Sequence, residues 1–449
     1  NAFRDVAGNG NTASNTFEWT YDSTPPIITI ASSDVSEDST SNDDNVQFTF
    51  TTSENTSNFG IGNVVVQGGT VSSFTGSGTS YSATFTPSGG DGLKSVRVVD
   101  GAFTDVAGNG NNASNIFEWV YDSTRPTIFI SSPNCTSGAR TNEDFIFLHF
   151  QSSEDTSDFD VSDLAVSSGG HVSNFKKLDA KTYTAKLTPT AQGITSVHVS
   201  AGKFQDEAEN TNIASNTFEW TYDSVRPTVV IRSDEGVDGF ASMHTSIRLR
   251  FETSEMTSSD QWLASSNSFL IVNGVLSSLG GSNSSFFATY NTTGDAVHSV
   301  KIKENVFFDV AGNGNTASSL FTWTYDGTQP LIQVNVFETS LGAPYLLSGT
   351  RTNCSDLSIR FNISEDALDD TFTSSDIIVN GSGSLSSFIM MNQRTYEASY
   401  VPSDDGMNRI VVPENSFQDH VGHWNLKSNM FELFYDSTSP TIAITVAEL

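Results

Sequence analysis

The sequence has 449 residues, of which 36% are hydrophobic and 11% are aromatic, enough to build several packed cores, so an intrinsically disordered chain is excluded. Asp and Glu number 52 against 21 Lys and Arg, giving a net charge of -31 that repels nucleic acid and anionic membranes and attracts cations. No apolar run approaches the roughly 20 residues of a membrane-spanning helix, so we expect no membrane insertion in this segment.

One stretch, Phe-x-Trp-x-Tyr-Asp-Ser-Thr-x-Pro, recurs along the chain. Its Tyr-Asp pair begins at residues 21, 121, 222, 325 and 435, and in the last copy Leu433 takes the place of the Trp. Self-similarity about every hundred residues predicts tandem domains, each about the size of one β-sandwich. The three aromatic residues alternate with polar ones, so they share one face of a strand, and the Pro ends that strand in a short linker.

The spacing of this stretch divides the chain into four complete domains flanked by two partial ones. Residues 1–24 are expected to be the end of a truncated domain, and residues 439–449 the start of a following one, so we expect the sequence to be a segment of something longer. The four complete domains are predicted at 25–124, 125–225, 226–328 and 329–438, and the last is the most divergent.

The first complete domain contains short alternating or β-branched segments separated by Gly and Pro turns. They predict strands at 27–30, 46–51, 64–66, 71–74, 81–85, 93–99 and 116–121. About seven short strands at this spacing are typical of an antiparallel sandwich, so the predicted fold class is all-β, with Ig-like sandwiches arranged end to end. A disulfide between the second and sixth of these strands is absent, which excludes an antibody-type domain.

Three acidic positions recur in every complete domain. One precedes the first strand, one follows the second strand, and one opens the loop before the last strand. In an Ig-type sandwich these three places lie at one pole, which predicts a cluster that a hard cation with oxygen ligands would stabilise. Any single one of these residues could instead simply cap a turn. The twelve candidate ligands are Asp22, Glu54, Asp105, Asp122, Glu154, Asp206, Asp223, Glu255, Asp309, Asp326, Glu365 and Asp419.

Two further features have structural interpretations that we prefer. The repeated Trp and Phe side chains fit a core better than a sugar-stacking platform. The pair His420-x-x-His423 has spacing that suits a transition metal, but it occurs once and in a loop, so we interpret it as a loop variant. No catalytic motif recurs, and the seven His follow no repeat-wide pattern, so we do not expect an enzyme.

The combination Asp-Val-Ala-Gly-Asn-Gly-Asn, followed by Ala-Ser-Asn-x-Phe-x-Trp-x-Tyr-Asp-Ser-Thr-x-Pro, resembles the bacterial Ig-like repeats of very large surface adhesins. The resemblance implies an extracellular or cell-surface stalk, spacer or filament. It also implies joints between domains that are stiffened by calcium (Ca2+). The fourth domain has lost the Trp and the Ala-Gly-Asn, so the resemblance is weaker there.

The expected partners are neighbouring repeats of the same chain. Two cysteines, Cys135 and Cys354, lie in different repeats, with a whole domain between them. Either both are free thiols, or one of them forms a disulfide with a neighbouring chain that associates laterally. We therefore expect a structural or adhesive rod. The alternative is a module in the fourth domain that binds carbohydrate or protein, since Tyr345, Met390 and Met391 mark that domain.

Overall fold

A computed structural model describes residues 2–56, 58–339 and 344–445. The chain divides into two units, Asn1–Asp223 and Ser224–Leu449. Within the described ranges the regular elements are β-strands and a few short 3-10 helices. The predicted all-β class is therefore confirmed. Each unit contains two hydrophobic cores, and each core lies within one of the four predicted repeats.

Unit 1 contains two sandwiches, which we call the first and second domains. The first consists of β1 (Ile28–Ser32), β2 (Thr40–Ser41), β3 (Val46–Thr52), β4 (Val64–Gln67), β5 (Gly69–Ser77), β6 (Ser80–Pro87), β7 (Gly92–Val98) and β8 (Phe117–Tyr121). The second consists of β9 (Ile128–Ser131), β10 (Ala139–Thr141), β11 (Ile146–Ser152), β12 (Leu164–Val166), β13 (Gly170–Lys177), β14 (Thr182–Pro189), β15 (Gly193–Val199) and β16 (Phe218–Tyr222).

Unit 2 repeats this arrangement in the third and fourth domains. The third consists of β17 (Val229–Ser233), β18 (Phe240–Ser242), β19 (Ser246–Thr253), β20 (Phe269–Val272), β21 (Gly274–Ser282), β22 (Ser285–Thr292), β23 (Ala296–Ile302) and β24 (Phe321–Tyr325). The fourth consists of β25 (Ile332–Glu338), β26 (Thr350–Thr352), β27 (Leu357–Ile363), β28 (Ile378–Asn380), β29 (Gly383–Asn392), β30 (Thr395–Pro402), β31 (Gly406–Val411) and β32 (Phe431–Tyr435).

Each domain is built from two four-stranded sheets. In the first domain one sheet has the order β1-β3-β6-β5 and the other the order β2-β8-β7-β4. All pairings are antiparallel except that of β2 with β8, which is parallel. The seven predicted strands all form, while the two-residue β2 lies between the first two predicted strands, where none was expected. Two residues are too few for sequence alternation to predict a strand.

The aromatic motif supplies the core, as predicted. Along β3 the side chains of Val46, Phe48 and Phe50 are buried while the intervening ones are exposed. Trp119 packs against Phe48 and Phe85, with ring centroids 5.5 Å and 4.8 Å apart. The corresponding Trp of the second and third domains are equally buried, so these aromatic residues hold the two sheets together rather than present a binding surface.

The two chain ends differ from the sequence-based expectation. The motif copy at residues 17–21 forms no strand, and Trp19 is 71% exposed. Residues 441–444, within the predicted start of a following domain, also form no strand. In the first domain the corresponding strands are paired within their own sandwich, β8 with β2 and β7, and β1 with β3. Residue 1 and residues 446–449 of the two predicted partial domains lie outside the described residues.

Candidate metal centre

Three acidic side chains converge where the second domain begins. Asp122 follows β8 of the first domain, and its main-chain N–H donates to Ser41 of that domain at 3.0 Å. Glu154 follows β11, and Asp206 opens the loop between β15 and β16. One carboxylate oxygen from each of the three lies within 4.8 Å of the other two. The trio therefore combines a residue anchored to one domain with two residues of the next.

An amide side chain holds this cluster together. Asp206 accepts hydrogen bonds from the main-chain N–H of Asn210 at 2.8 Å and from its side-chain Nδ2 at 3.1 Å. The same Nδ2 donates to the main-chain carbonyl of Asp122 at 2.9 Å. Asn210 thereby connects the loop of the second domain to the end of the first domain, a role that the sequence did not reveal.

The first domain has the same arrangement. Asp22, Glu54 and Asp105 each place one carboxylate oxygen within 4.8 Å of the others. Asn109 donates from Nδ2 to Asp105 at 2.9 Å and to the main-chain carbonyl of Asp22 at 3.1 Å. Asp105 is 2% exposed. The same three sequence positions therefore produce the same geometry twice in unit 1.

The candidate ligands of the third domain are divided between the units. Asp223 is the last residue of unit 1, whereas Glu255 and Asp309 belong to unit 2. Within the third domain Asp309 accepts from the main-chain N–H of Asn313 at 2.8 Å and from its Nδ2 at 2.9 Å. The loop is thus built like those of unit 1, and a cluster that includes Asp223 stays a prediction.

The fourth domain retains the cluster but changes its support. One carboxylate oxygen each of Asp326, Glu365 and Asp419 lie within 4.8 Å of one another. His423 stands where the other domains have the Asn, and its Nε2 lies 2.9 Å from the main-chain carbonyl of Asp326, so Nε2 carries the proton. The interpretation of the His pair as a loop variant gains a structural reason, since His423 makes the contact to the preceding domain that the Asn makes elsewhere.

Burial and neighbouring like charges change the ionisation of the Glu in three of the trios. Burial, followed by the charges of Asp22 and Asp105, raises the pKa of Glu54. The pKa of Glu154 is raised in the same way. Burial, together with Asp326 and Asp419, raises the pKa of Glu365 to about 7. These three trios therefore carry a repulsion that a bound cation would remove.

A different set of acids, on the turns before β7, β23 and β31, holds the linkers that follow their own domains. Asp91 accepts from Ser123 at 2.8 Å and from Thr124 at 2.5 Å, so both of its oxygens hold the linker of its own domain. Asp295 holds Gly327 and Thr328 in the same way. The hydrogen bonds from Thr124 and Ser123 lower the pKa of Asp91.

A second set of polar residues, which sequence reasoning missed, fixes the loop that carries the third carboxylate of the trio. Asn212 is fully buried, and its Oδ1 accepts from Lys203 and Phe204 while its Nδ2 donates to Ser200 and Ile213. This network fixes the loop that carries Asp206. The only signal in the sequence was the repetition of Asn at this position, at Asn111, Asn212, Asn315 and Asn425.

Comparison with known families identifies this architecture. Residues 22–120 and 122–222 each match the family described as a bacterial Ig-like domain. The first two domains are bacterial Ig-like domains. Each match begins at the Asp that supplies the first carboxylate of a trio, so these bacterial Ig-like domains include the linker residue as part of the repeat. No curated protein sequence matches the chain.

Several solved structures are similar to the chain at low sequence identity. An Escherichia coli adhesin, FdeC, is 10% identical, covering 69% of this chain and 99% of that chain, with a TM-score of 0.31. Invasin, described as a bacterial integrin-binding protein, is 11% identical, covering 91% and 79%, with a TM-score of 0.33. Yersinia pseudotuberculosis InvD is 13% identical, covering 68% and 99%, with a TM-score of 0.29. TM-scores this low carry no inference about function.

Two further observations concern membrane-spanning helices and the cysteines. Among the described residues no helix is long and apolar enough to cross a membrane. Cys135 and Cys354 are free thiols, each packed at the edge of the core of its own domain. Burial raises the pKa of Cys135, which lowers the fraction of its reactive thiolate at neutral pH. A disulfide to a neighbouring chain stays a prediction.

Proposed function

We propose that this chain is a structural and adhesive repeat protein of the extracellular surface, in which tandem bacterial Ig-like domains form an extended stalk. Calcium bound by the acidic trios stiffens the joints between domains. The observation that carries the proposal is that each trio within a unit takes one carboxylate from the residue preceding a domain and two from that domain.

The chemistry of the trios favours a hard divalent cation. All candidate ligands are carboxylate oxygens, and calcium takes six to eight oxygen ligands in flexible geometry. Main-chain carbonyls lie at the same place, because the carbonyls of Asp22 and Asp122 face the loop Asn of the following domain. Burial and the charges of the neighbouring Asp residues raise the pKa of Glu54 and of Glu154, so a cation bound there would relieve the repulsion between the carboxylates.

The short linkers give calcium a mechanical consequence. Between β8 and β9 the chain has only a few residues, and these are bonded to both domains, since Thr124 is bonded to Asp91 and Arg125 to Thr211. A cation bound by Asp122, Glu154 and Asp206 would add a further connection between the two domains at this joint. The stalk would then be stiff in calcium and flexible without it, and catalysis forms no part of this function.

Small-angle X-ray scattering of the full chain, in calcium and in chelator, tests the stalk. We expect an elongated particle whose maximum dimension is largest and best defined in calcium. A compact particle in calcium would contradict the proposal. A matched measurement on Glu154→Gln, which removes one charge but keeps the side-chain shape, should show a joint that no longer responds fully to calcium.

A second function is favoured by one feature of the fourth domain. The hairpin formed by β29 and β30 exposes Ile389, Met390 and Met391, each more than half exposed. Methionine adapts to varied partners, which suits a binding surface for a protein ligand. Beads coated with the full chain should bind immobilised extracellular proteins, and Met390→Ser with Met391→Ser should abolish this without changing the melting temperature. Equal binding by the wild type and the double variant would contradict a role of the hairpin in binding.

A further inference from the structure

One buried carboxylate oxygen in the fourth domain lacks a hydrogen-bond donor. Asp419 is 2% exposed, and its Oδ1 accepts the main-chain N–H groups of Val421, Gly422 and His423 at 2.8–2.9 Å. Its Oδ2 has no partner within the part of the chain that the structure describes. A charged oxygen removed from water without a donor is destabilising. The site therefore contains an oxygen that a cation would satisfy.

The corresponding oxygen is bonded in the other three domains. Oδ2 of Asp105, Asp206 and Asp309 accepts from the side-chain amide of the Asn four residues later, at 2.9, 3.1 and 2.9 Å. In the fourth domain the residue at that position is His423, whose Nε2 lies against the carbonyl of Asp326. The change from Asn to His thus keeps the contact with the preceding domain but removes the donor to the carboxylate.

Two more features place this oxygen in a site open to an ion. Glu365 also has a buried oxygen, Oε1, without a hydrogen-bond partner among the described residues. A cavity of about 410 Å³ is lined by Asp295, Thr328, Asp326 and Glu365, so an ion can reach the carboxylates of Asp326 and Glu365, and each of these has an oxygen within 4.8 Å of one of Asp419. Both domains that form this cavity belong to unit 2.

We propose that Asp326, Glu365 and Asp419 form a calcium site of higher affinity than the two sites of unit 1, with Oδ2 of Asp419 as a direct ligand. The inference rests on the proposed function, since it concerns the same class of site. In unit 1 an ion must compete with the Asn amide for the Asp oxygen, whereas at Asp419 it meets no donor. Calcium affinity follows the number and charge of the available oxygen ligands. His423 acts here as a positioning residue and not as a ligand.

Calorimetric titration of the calcium-depleted full chain with calcium chloride tests this inference. The wild type should show one site that binds at least about ten-fold more tightly than the rest. Asp419→Asn should remove that site, and its Oδ1 can still accept the three loop N–H groups, so the fold should be kept. His423→Asn should restore the amide donor and weaken the site to the level of the others. Asp206→Asn, the matched control, should leave the tight site in place.

The outcomes separate this inference from the proposed function. A single class of equal sites, or a tight site that survives both Asp419→Asn and His423→Asn, would overturn the inference alone. One tight site with no binding elsewhere would support it while removing calcium from the joints of unit 1. No heat of binding at any calcium concentration would overturn both. The melting temperature of each variant in chelator shows that a lost site does not reflect a lost fold.

Discussion

The hydroxyl of Thr124 donates a 2.5 Å hydrogen bond to Asp91, which ties the linker after the first domain to a turn of that domain. Ser123 donates to the other oxygen of the same carboxylate from both its main chain and its side chain. On the far side of the linker, Arg125 donates to the carbonyl of Thr211 in the second domain at 2.7 Å. The linker is thus held by both neighbours even without a cation.

Removal of this tie should weaken the first domain. Asp91→Ala loses three hydrogen bonds to an ionised acceptor, and because the group is exposed we expect a loss of about 1 kcal/mol in the free energy of unfolding. Hydrogen exchange resolved by domain would measure it, with Asp100→Ala, an exposed Asp on the same domain, as the control. An equal effect of the two substitutions would contradict the role of the tie.

The contribution of Asp91 to the stability of the first domain should depend on pH. The hydrogen bonds from Thr124 and Ser123 lower its pKa below the ordinary 3.8. A carboxyl with a lowered pKa stabilises the folded state above its unfolded pKa and loses that contribution as the pH falls through the folded value. The difference between wild type and Asp91→Ala should therefore be full at pH 7 and shrink below about pH 4. A difference that grows in acid would contradict this assignment.

The buried and the exposed copies of the motif Trp should differ in their response to substitution. Trp119 is fully buried against Phe48 and Phe85, whereas Trp19, the same motif residue, is 71% exposed. Trp119→Ala should cost about 3–5 kcal/mol of unfolding free energy in the first domain. Trp19→Ala should leave that domain unchanged. Denaturant unfolding monitored by hydrogen exchange would measure both variants. A large loss of stability of the first domain in Trp19→Ala would contradict the exposed position of Trp19.

A backbone position in the loop of the second domain is strained. Glu209 has a φ of 69°, where the first domain has Gly108 with a φ of 95°. A side chain in this left-handed region costs roughly 1–2 kcal/mol, and Glu209 is exposed, so it gains little in return. Glu209→Gly should raise the melting temperature of the second domain, and Gly108→Glu should lower that of the first. A loss of stability in Glu209→Gly would mean that the side chain has an unrecognised role.

The convergence of the acidic residues was predictable because the sandwich topology fixes it. Strand order alone brings the start of the first strand, the end of the second and the loop before the last to one pole, so Asp122, Glu154 and Asp206 meet whatever lies between them. The hydrogen bonds around them were not predictable. The amide of Asn210 could have bonded anywhere within its loop, and only coordinates show that it reaches the carbonyl of Asp122.

One expectation failed because it ignored strand pairing. The motif around Trp19 was expected to form a strand from its alternation, but a last strand exists only beside its neighbour in the same sheet. The bonds of Asp91 were also beyond prediction from the sequence, because its oxygens accept from Ser123 and Thr124, which lie about thirty residues away along the chain.

The two cysteine thiols should react slowly with alkylating reagents in the folded chain. Burial raises the pKa of Cys135, and the Sγ of Cys354 donates to the carbonyl of Asp356 at 3.2 Å. We expect slow alkylation of the folded chain, rapid alkylation of both thiols after unfolding, and a single monomer band on non-reducing gels. A ladder that collapses with reductant would contradict this and support a disulfide between chains; Cys135→Ser and Cys354→Ser would then show which thiol forms it.

Thermal unfolding of the full chain in calcium and in chelator tests the calcium-bound joints most directly. The cation should bind the closed joint better than the separated domains, and free calcium 100-fold above its dissociation constant would stabilise each site by roughly 2.7 kcal/mol. The melting temperature of the wild type should therefore fall on chelation. Asp122→Asn should lose part of this difference, while Asp179→Asn, an equal change of charge on a hairpin outside the trio, should keep all of it. Identical melting curves of the wild type in calcium and in chelator would contradict the account.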